Sequence, residues 1–237
     1  MPPRITPLLQ PPIGFAHRGA RAHERENTIE SFRLALRLGA TGIETDAWLT
    51  RDGVVVLDHD GVVGRLLNRK RIREVVRDAL PAHIPTLTDL YHAIGTDIPI
   101  SIDVKDPDAA GPIIEVARSF GPHVVSNLWL CGDIDQVASW RSLDPAVRLV
   151  DSTRLKRISE GPERRAARLA ELGIDAINMH HTDWTGGMTT LFHRLERYAF
   201  AWDAQHERVI AAALDMGIDA VYSDWSDRLA SVMAAMQ

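Results

Sequence analysis

Residues 172–177 read Leu-Gly-Ile-Asp-Ala-Ile, and residues 216–221 repeat the pattern as Met-Gly-Ile-Asp-Ala-Val. A looser relative, Leu-Gly-Ala-Thr-Gly-Ile-Glu, occupies residues 38–44. In each segment a glycine stands where an amphipathic pattern ends and a short apolar run begins. Because glycine accepts the left-handed backbone conformation that closes a helix, the repeat predicts the same helix-to-strand joint at several places in the chain.

Outward from these joints, short apolar runs alternate with amphipathic segments along the chain. The predicted strands cover residues 13–17, 42–47, 99–104, 123–126, 146–150, 175–179, 198–202 and 219–223. The predicted helices cover residues 27–38, with Asn27 as N-cap, then 86–94, 108–120, 133–140, 162–172, 189–197, 206–216 and 226–236. Repeated strand–helix units favour a closed (β/α)8 TIM barrel in the α/β class, and an open doubly wound sheet is the alternative.

Length and composition agree with one such barrel. The chain has 237 residues, of which 45% are hydrophobic and 25% charged, as in a globular protein with a sizeable core. No proline- or serine-rich linker divides it, so we expect residues 1–237 to form a single domain.

The charge pattern argues against a nucleic-acid partner, because the net charge is −5 and no basic stripe is present. One basic run, Arg-Leu-Leu-Asn-Arg-Lys-Arg at residues 65–71, is interpreted as a solvated loop or the start of a helix. We therefore expect a small-molecule substrate, and the sequence gives no oligomeric state.

Cysteine usage and hydropathy bear on the compartment. Cys131 is the one cysteine, which rules out an internal disulfide and suggests a reducing environment. Residues 1–12 contain several prolines and no apolar core of a signal peptide. No stretch approaches the ~20 apolar residues of a membrane span. These features predict a cytoplasmic protein without a transmembrane segment.

Unusual polar residues fall where predicted strands end, which is the working face of such barrels. His17 and Arg18 follow the first strand, and Asp103 lies near the end of the third. Glu44 and Asp46 share one face of the second strand, about 7 Å apart along it. Buried carboxylates need a neutralising partner. That partner is either a barrel arginine or a hard cation such as Mg²⁺ or Ca²⁺.

A small hairpin is predicted after the second strand, because Asp52 and Gly53 stand between two β-like runs. An excursion of this kind would return His59 close to Glu44 and Asp46. His17 and His59 would then approach one site from separate strand ends, an arrangement that suits general acid and general base catalysis.

The ordered set of motifs resembles the glycerophosphodiester phosphodiesterase family. The dense part of the resemblance consists of His17-Arg18-Gly19, Glu26-Asn27-Thr28, Glu44-Thr45-Asp46, Thr50, Asp52-Gly53 and His59-Asp60. Weaker matches follow at Ile84-Pro85-Thr86-Leu87, Asp103-Val104-Lys105, Trp202 and Ser223-Asp224. The chain departs from the family at Arg25, where proline is usual, at Asp103, where glutamate is usual, and at residues 203–205.

The resemblance implies a barrel that hydrolyses glycerophosphodiesters to glycerol 3-phosphate and an alcohol. It implies one divalent cation, Mg²⁺ or Ca²⁺, and a role for each matching residue. Glu44, Asp46 and Asp103 would bind the metal, His17 and His59 would be the acid–base pair, and Arg18 and Lys105 would hold phosphate oxygens.

Three further readings stay open at the sequence level. Trp202 either offers an apolar face to a glycerol moiety or packs in the barrel. His180 and His181 either form a loop with one substrate-facing side chain or contribute to a second metal site. The function itself has two alternatives, a phospholipase D-like lyase that forms a cyclic phosphate from a lysolipid or sphingolipid, and an inactive barrel used for binding.

Overall fold

A computed structural model describes residues 4–64 and 68–236 and shows a closed sheet surrounded by helices. The strands are β1 Ile13–His17, β2 Gly42–Leu49, β3 Val55–Leu57, β4 Val62–Val63, β5 Lys70–Arg71, β6 Ile100–Val104, β7 Leu128–Gly132, β8 Arg148–Thr153, β9 Ala176–His180, β10 Tyr198–Trp202 and β11 Ala220–Ser223. The α-helices are α1 Ile29–Arg37, α2 Leu87–Ile94, α3 Ala110–Ser119, α4 Pro122–Ser126, α5 Ile134–Trp140, α6 Pro162–Glu171, α7 Gly186–His193, α8 Glu207–Asp215 and α9 Ser226–Ala235.

The order of strand pairing closes the barrel. Parallel pairing runs β1-β11-β10-β9-β8-β7-β6-β2, and β1 also pairs with β2, so no parallel strand is left with an open edge. The predicted (β/α)8 barrel is therefore confirmed. Two strands, β1 and β10, have the predicted bounds, and most other boundaries differ by one to three residues.

One predicted strand is wrong. Residues 123–126 form the short helix α4, and the fourth barrel strand is β7, which begins at Leu128. Val124 and Val125 suggest a strand, but Gly121 with φ 130° turns the chain and Pro122 then takes the first helical position. The apolar run from Leu128 is the true strand and is buried along its whole length.

The cap of α1 also differs from the prediction. Thr28, not Asn27, is the N-cap, and its hydroxyl accepts a hydrogen bond from the Ser31 amide at 3.2 Å. Asn27 instead adopts φ 53° and turns its side chain toward the barrel, where Nδ2 donates to Asp46 Oδ2 at 3.1 Å. The Asn27 side chain therefore binds Asp46 instead of capping α1.

The predicted hairpin after β2 is present. β3 runs antiparallel to the end of β2, with Ala47 paired to Leu57, and Gly53 turns the chain at φ 80°. Beyond it, β4 and β5 form a separate two-stranded ladder. Within the basic run at 65–71, residues 65–67 lie outside the described part, and residues 70–71 form β5 rather than a helix start.

The repeated Gly-Ile-Asp segment forms the predicted helix-to-strand joint, and its aspartate makes further hydrogen bonds. Gly173 and Gly217 have φ of 66° and 82°. The following aspartates anchor neighbouring segments at the amino-terminal end of the barrel. Asp175 accepts from the Leu149 amide at 2.9 Å, and the fully buried Asp219 accepts from the Ala199 amide at 2.7 Å. Because the catalytic end of such barrels is the opposite one, these hydrogen bonds contribute to the stability of the fold rather than to the chemistry.

The barrel interior is filled by aromatic side chains. Phe15 stacks on Tyr222 with ring centroids 4.9 Å apart, and Phe200 lies against Trp129 at 5.0 Å. A larger apolar layer separates the strands from the surrounding helices. In the described part of the chain, no helix combines the length and the apolar character that crossing a membrane requires.

Candidate active site

A cavity of about 360 Å³ opens at the carboxyl ends of the barrel strands. Five of the eight predicted site residues line it, namely His17, Arg18, Glu44, Asp103 and Trp202. Its floor includes the hydroxyls of Ser101 and Tyr222, which lie 3.0 Å apart above the aromatic core. A larger depression of about 830 Å³ lies over the β4–β5 ladder, but it is open and contains none of these residues.

His17, at the end of β1, is held between two carboxylates. Its Nδ1–H donates to Asp224 Oδ1 at 2.6 Å, and its Nε2 lies 3.8 Å from Glu44 Oε2. Burial lowers the pKa of His17, but the charges of Glu44 and Asp224 outweigh it and raise the pKa above 6.5. The ring is thus fixed with Nε2 toward the acidic side of the cavity.

Asp224 is a candidate functional residue for which the sequence alone predicts no role. It follows β11, and its backbone N–H donates to the side chain of Gln205, at Oε1, over 2.9 Å. The only sequence signal was the Ser-Asp pair at the end of the last strand. That it pairs with His17, 207 positions earlier, follows from barrel closure and was not readable from spacing.

Arg18 connects the catalytic rim to the acidic side chains. It takes a left-handed conformation at φ 54°, and its backbone N–H donates to Glu44 Oε2 at 2.9 Å. Its guanidinium reaches Glu26 at 3.1 Å, and its Nε lies 3.0 Å from Asp46 Oδ2 as an ion pair without an aligned hydrogen bond. Backbone strain of this kind is found where a site fixes a side-chain position.

The three predicted metal residues lie on two adjacent strands. Asp46 on β2 is in register with Asp103 on β6, and both Glu44 and Asp46 contact Arg18. Burial raises the pKa of Glu44 to about 7, with His17 opposing the rise and the charges of Asp46 and Asp103 adding to it. Burial is thus the main reason why the ionised form of Glu44 is disfavoured.

Lys105 lies between two of these carboxylates. Its Nζ is 3.1 Å from Asp46 Oδ1 and also contacts Asp103 Oδ2. With Arg18 on its other oxygen, Asp46 is buried beneath the cavity instead of lining it. A barrel arginine thus pairs with one of the two buried carboxylates: the Arg18 guanidinium contacts Asp46, whereas Glu44 accepts from the Arg18 backbone N–H.

His59 does not share the cavity of His17. It lines an adjoining pocket of about 130 Å³ with Glu26 and Asn27, and its Nδ1–H donates to Asp60 Oδ1 at 2.8 Å. The hairpin does return this segment to β2, because the Asp58 amide donates to the Asp46 carbonyl at 3.1 Å. The Arg18–Glu26 ion pair borders both pockets.

Trp202 closes another side of the cavity. The Arg154 guanidinium lies 5.6 Å from the centroid of its ring, and the His180 ring meets it edge-on at 4.6 Å. Trp202 is partly exposed at the end of β10. It therefore both packs against its neighbours and presents surface to the cavity.

Comparison with known proteins identifies the family of the chain. The profile described as "Glycerophosphoryl diester phosphodiesterase family" matches residues 17–228, from His17 to beyond Asp224. The chain belongs to this family. The predicted family and the predicted enzyme class, a phosphoric diester hydrolase, are thereby confirmed.

Two relatives extend over most of the chain. A Mycobacterium tuberculosis protein named "Probable glycerophosphodiester phosphodiesterase 2" is 30% identical over 94% of this chain and 91% of its own length. A Bacillus subtilis protein named "Putative glycerophosphodiester phosphodiesterase YhdW" is 27% identical over 90% of this chain and 94% of its own.

Solved structures share the fold at lower identity. A glycerophosphodiester phosphodiesterase from Thermotoga maritima superposes with a TM-score of 0.79 at 22% identity, covering 95% of this chain and 98% of that one. An Oleispira antarctica phosphodiesterase, solved in complex with sn-glycerol-3-phosphate, gives a TM-score of 0.80 at 20% identity over 94% and 97%. These likenesses support the barrel.

Proposed function

We propose that the protein hydrolyses glycerophosphodiesters to glycerol 3-phosphate and an alcohol, acting on small molecules in the rim cavity. The observation that carries the proposal is the His17 ring, fixed by Asp224 and turned toward the buried carboxylate of Glu44. Family membership and the bound product of the Oleispira antarctica relative support the substrate class.

The proposed cofactor is one divalent cation, Mg²⁺ or Ca²⁺, held by Glu44, Asp46 and Asp103. All three donors are carboxylates, the ligands that these hard cations take. Burial raises the pKa of Glu44, and a cation beside this carboxyl would favour its ionised form. When bound, the ion would neutralise charge on the phosphate oxygens as the transition state forms.

In this proposal His17 and His59 form the acid–base pair. Asp224 holds the Nδ1 proton of His17, which leaves Nε2 for proton transfer at the phosphate. His59 stands in the adjoining pocket, on the far side of the Arg18–Glu26 pair. Catalytic contacts are often long before substrate binds, and the proposal requires the scissile phosphodiester to lie across this pair, between the two imidazoles.

Arg18 and Lys105 are the proposed phosphate-binding groups, and Trp202 the proposed apolar contact for glycerol. Both cations are now paired with Asp46. If the divalent cation took Asp46, both would be released to bind phosphate oxygens. The exchange would make phosphate binding depend on the metal.

The decisive experiment is a turnover assay followed by phosphorus NMR. Glycerophosphocholine, glycerophosphoethanolamine, glycerophosphoglycerol and a lysolipid are each tested with Mg²⁺ and with Ca²⁺. Glycerol 3-phosphate is the expected product. A cyclic phosphate would instead identify the lyase alternative, and no metal-dependent turnover of any of the four would leave a binding barrel.

Variants test the roles of the two histidines. His17→Ala and His59→Ala should each lower turnover by at least ~100-fold, because a proton transfer in the transition state contributes about 10²–10⁴-fold. His23→Ala is the matched control, since His23 pairs with the exposed Asp227 near the same rim. Near-normal activity of either catalytic variant would remove that residue from the mechanism.

We further propose that residues 1–237 act as one domain in the cytoplasm, without a nucleic-acid partner. The single cysteine, Cys131, is buried and fits a reducing compartment. The net charge of −5 fits a small-molecule enzyme rather than a nucleic-acid binder.

A further inference from the structure

Two histidines and an aspartate meet at the barrel rim apart from the acidic group. His180 ends β9, His181 begins the 3-10 turn that follows, and Asp203 comes directly after β10. Trp202 on β10 is in register with His180 on β9, so the residues that follow them, Asp203 and His181, lie at the same edge of the barrel. Each of the three offers one ligand atom, and all three atoms lie within 4.8 Å of one another. Among residues 4–64 and 68–236, no other group of three or more histidine, cysteine or acidic side chains meets that distance.

We propose that His180, His181 and Asp203 bind a zinc-class divalent ion, separate from the cation of the acidic group. Two imidazoles and one carboxylate suit Zn²⁺, whereas Mg²⁺ and Ca²⁺ take all-oxygen sites. Tetrahedral zinc with bonds of about 2.0–2.2 Å separates its ligand atoms by about 3.3 Å. His180 Nε2 and Asp203 Oδ2 are already 3.0 Å apart.

The His180 ring is held by Thr182 and Trp202, and its Nε2 faces Asp203 Oδ2. Its Nδ1 lies 2.8 Å from the Thr182 hydroxyl. In the structure Nδ1 also accepts from the Thr182 amide at 3.2 Å. An ion on Nε2 would require a proton on Nδ1, which would give up that contact and donate to Thr182 Oγ1, the kind of outer-shell contact that metal-bound histidines make. The Trp202 ring packs edge-on against His180 and fixes its plane.

The other two ligands are similarly prepared. Asp203 adopts φ 63°, a strained conformation for a residue other than glycine, and its Oδ1 accepts from Gln205 Nε2 at 3.1 Å while Oδ2 faces His180. His181 stacks on His180 with ring centroids 4.5 Å apart.

The nearby positive charge does not prevent binding. Arg154 lies beside the cluster, 5.6 Å from the centroid of the Trp202 ring, and it is paired with Asp183, with Nη2 donating to Oδ1 at 3.2 Å. Three protein ligands leave a fourth position open, as in zinc sites that bind water or substrate. Asp203 lines the 360 Å³ cavity that also contains His17 and Glu44, so the proposed site would lie at the edge of that cavity.

Metal retention tests the proposal without using turnover. The intact chain is dialysed against Zn²⁺ in excess Mg²⁺, which keeps the acidic group occupied, and bound zinc is counted by elemental analysis. One Zn²⁺ per chain is expected, and Co²⁺ in its place should give the visible absorption of a four-coordinate nitrogen–oxygen site. Failure to retain zinc would overturn the proposal.

Four variants locate the ion. His181→Ala and Asp203→Asn should weaken zinc binding by at least about 100-fold, since even outer-shell contacts are worth about 10–100-fold. His206→Ala is the matched control, because His206 is exposed on the same rim and its side chain caps no helix. Glu44→Gln should leave zinc binding unchanged. Loss in Glu44→Gln with full retention in His181→Ala would assign the zinc to the acidic group and refute the rim site.

Discussion

Replacing Asp224 by asparagine isolates the contribution of one carboxylate to the catalytic histidine. The side chain keeps its size but loses its charge, and the 2.6 Å contact with His17 Nδ1 becomes a neutral hydrogen bond. A hydrogen bond to a charged group contributes about 1.5–3 kcal/mol. If that energy is expressed in the transition state, kcat falls by about 10–150-fold.

The pH profile separates an electrostatic role from a purely structural one. Asp224 is one of two carboxylates that raise the pKa of His17. Without its charge the pKa of His17 falls, so the limb of the kcat/KM profile that reports His17 should move to lower pH. KM should change less than kcat, because Asp224 holds the ring rather than the substrate.

The assay is steady-state turnover of a glycerophosphodiester at saturating metal across the pH range. Asp227→Asn is the control, because Asp227 pairs with His23 at 3.0 Å in an exposed contact on the same segment of chain. Wild-type kcat with an unshifted limb in Asp224→Asn would refute the reasoning, as would an equal loss in Asp227→Asn.

Two further predictions concern stability. Glu44 has a folded-state pKa raised from 4.5 to about 7, so its ionisation opposes folding increasingly from about pH 4.5 up to pH 7. Glu44→Gln should therefore raise the free energy of unfolding of the metal-free protein at pH 8 by up to about 3 kcal/mol, measured by urea unfolding. At pH 4 the substitution should give no gain. Destabilisation at pH 8 would contradict this. Gly19→Ala should cost about 1–3 kcal/mol, because φ is +81° and the added Cβ would lie 2.5 Å from Ser31 Oγ. Gly53→Ala, at φ +80° with open space around it, should lower the thermal midpoint less, and equal losses would disprove the clash.

The features of the fold that depend on local sequence pattern could be predicted from the sequence. The Gly-Ile-Asp repeat gave the helix-to-strand joint, and the alternation of elements gave the barrel. It misplaced the fourth strand because Val124 and Val125 favour a strand locally, while Gly121 and Pro122 direct the backbone into a helical turn. Local propensity was overridden by the backbone geometry of two preceding residues.

The candidate site was predictable where residues share a strand and less so where they meet across the barrel. Glu44 and Asp46 follow from period-2 geometry, and the hairpin that returns His59 follows from its turn. The partnership of His17 with Asp224 depends on closure between the first and last strands. The position of Lys105 between two carboxylates depends on strand register, which no spacing in the sequence specifies.

The aspartate anchors at the amino-terminal end of the barrel have a consequence for how the protein tolerates change. Asp175 and Asp219 tie neighbouring segments together at the opposite end of the strands from the cavity. Substitutions at the rim therefore leave these stabilising contacts of the barrel in place. Directed evolution of substrate preference can accordingly draw on rim positions such as Trp202 and Gln205, while the anchors are kept constant.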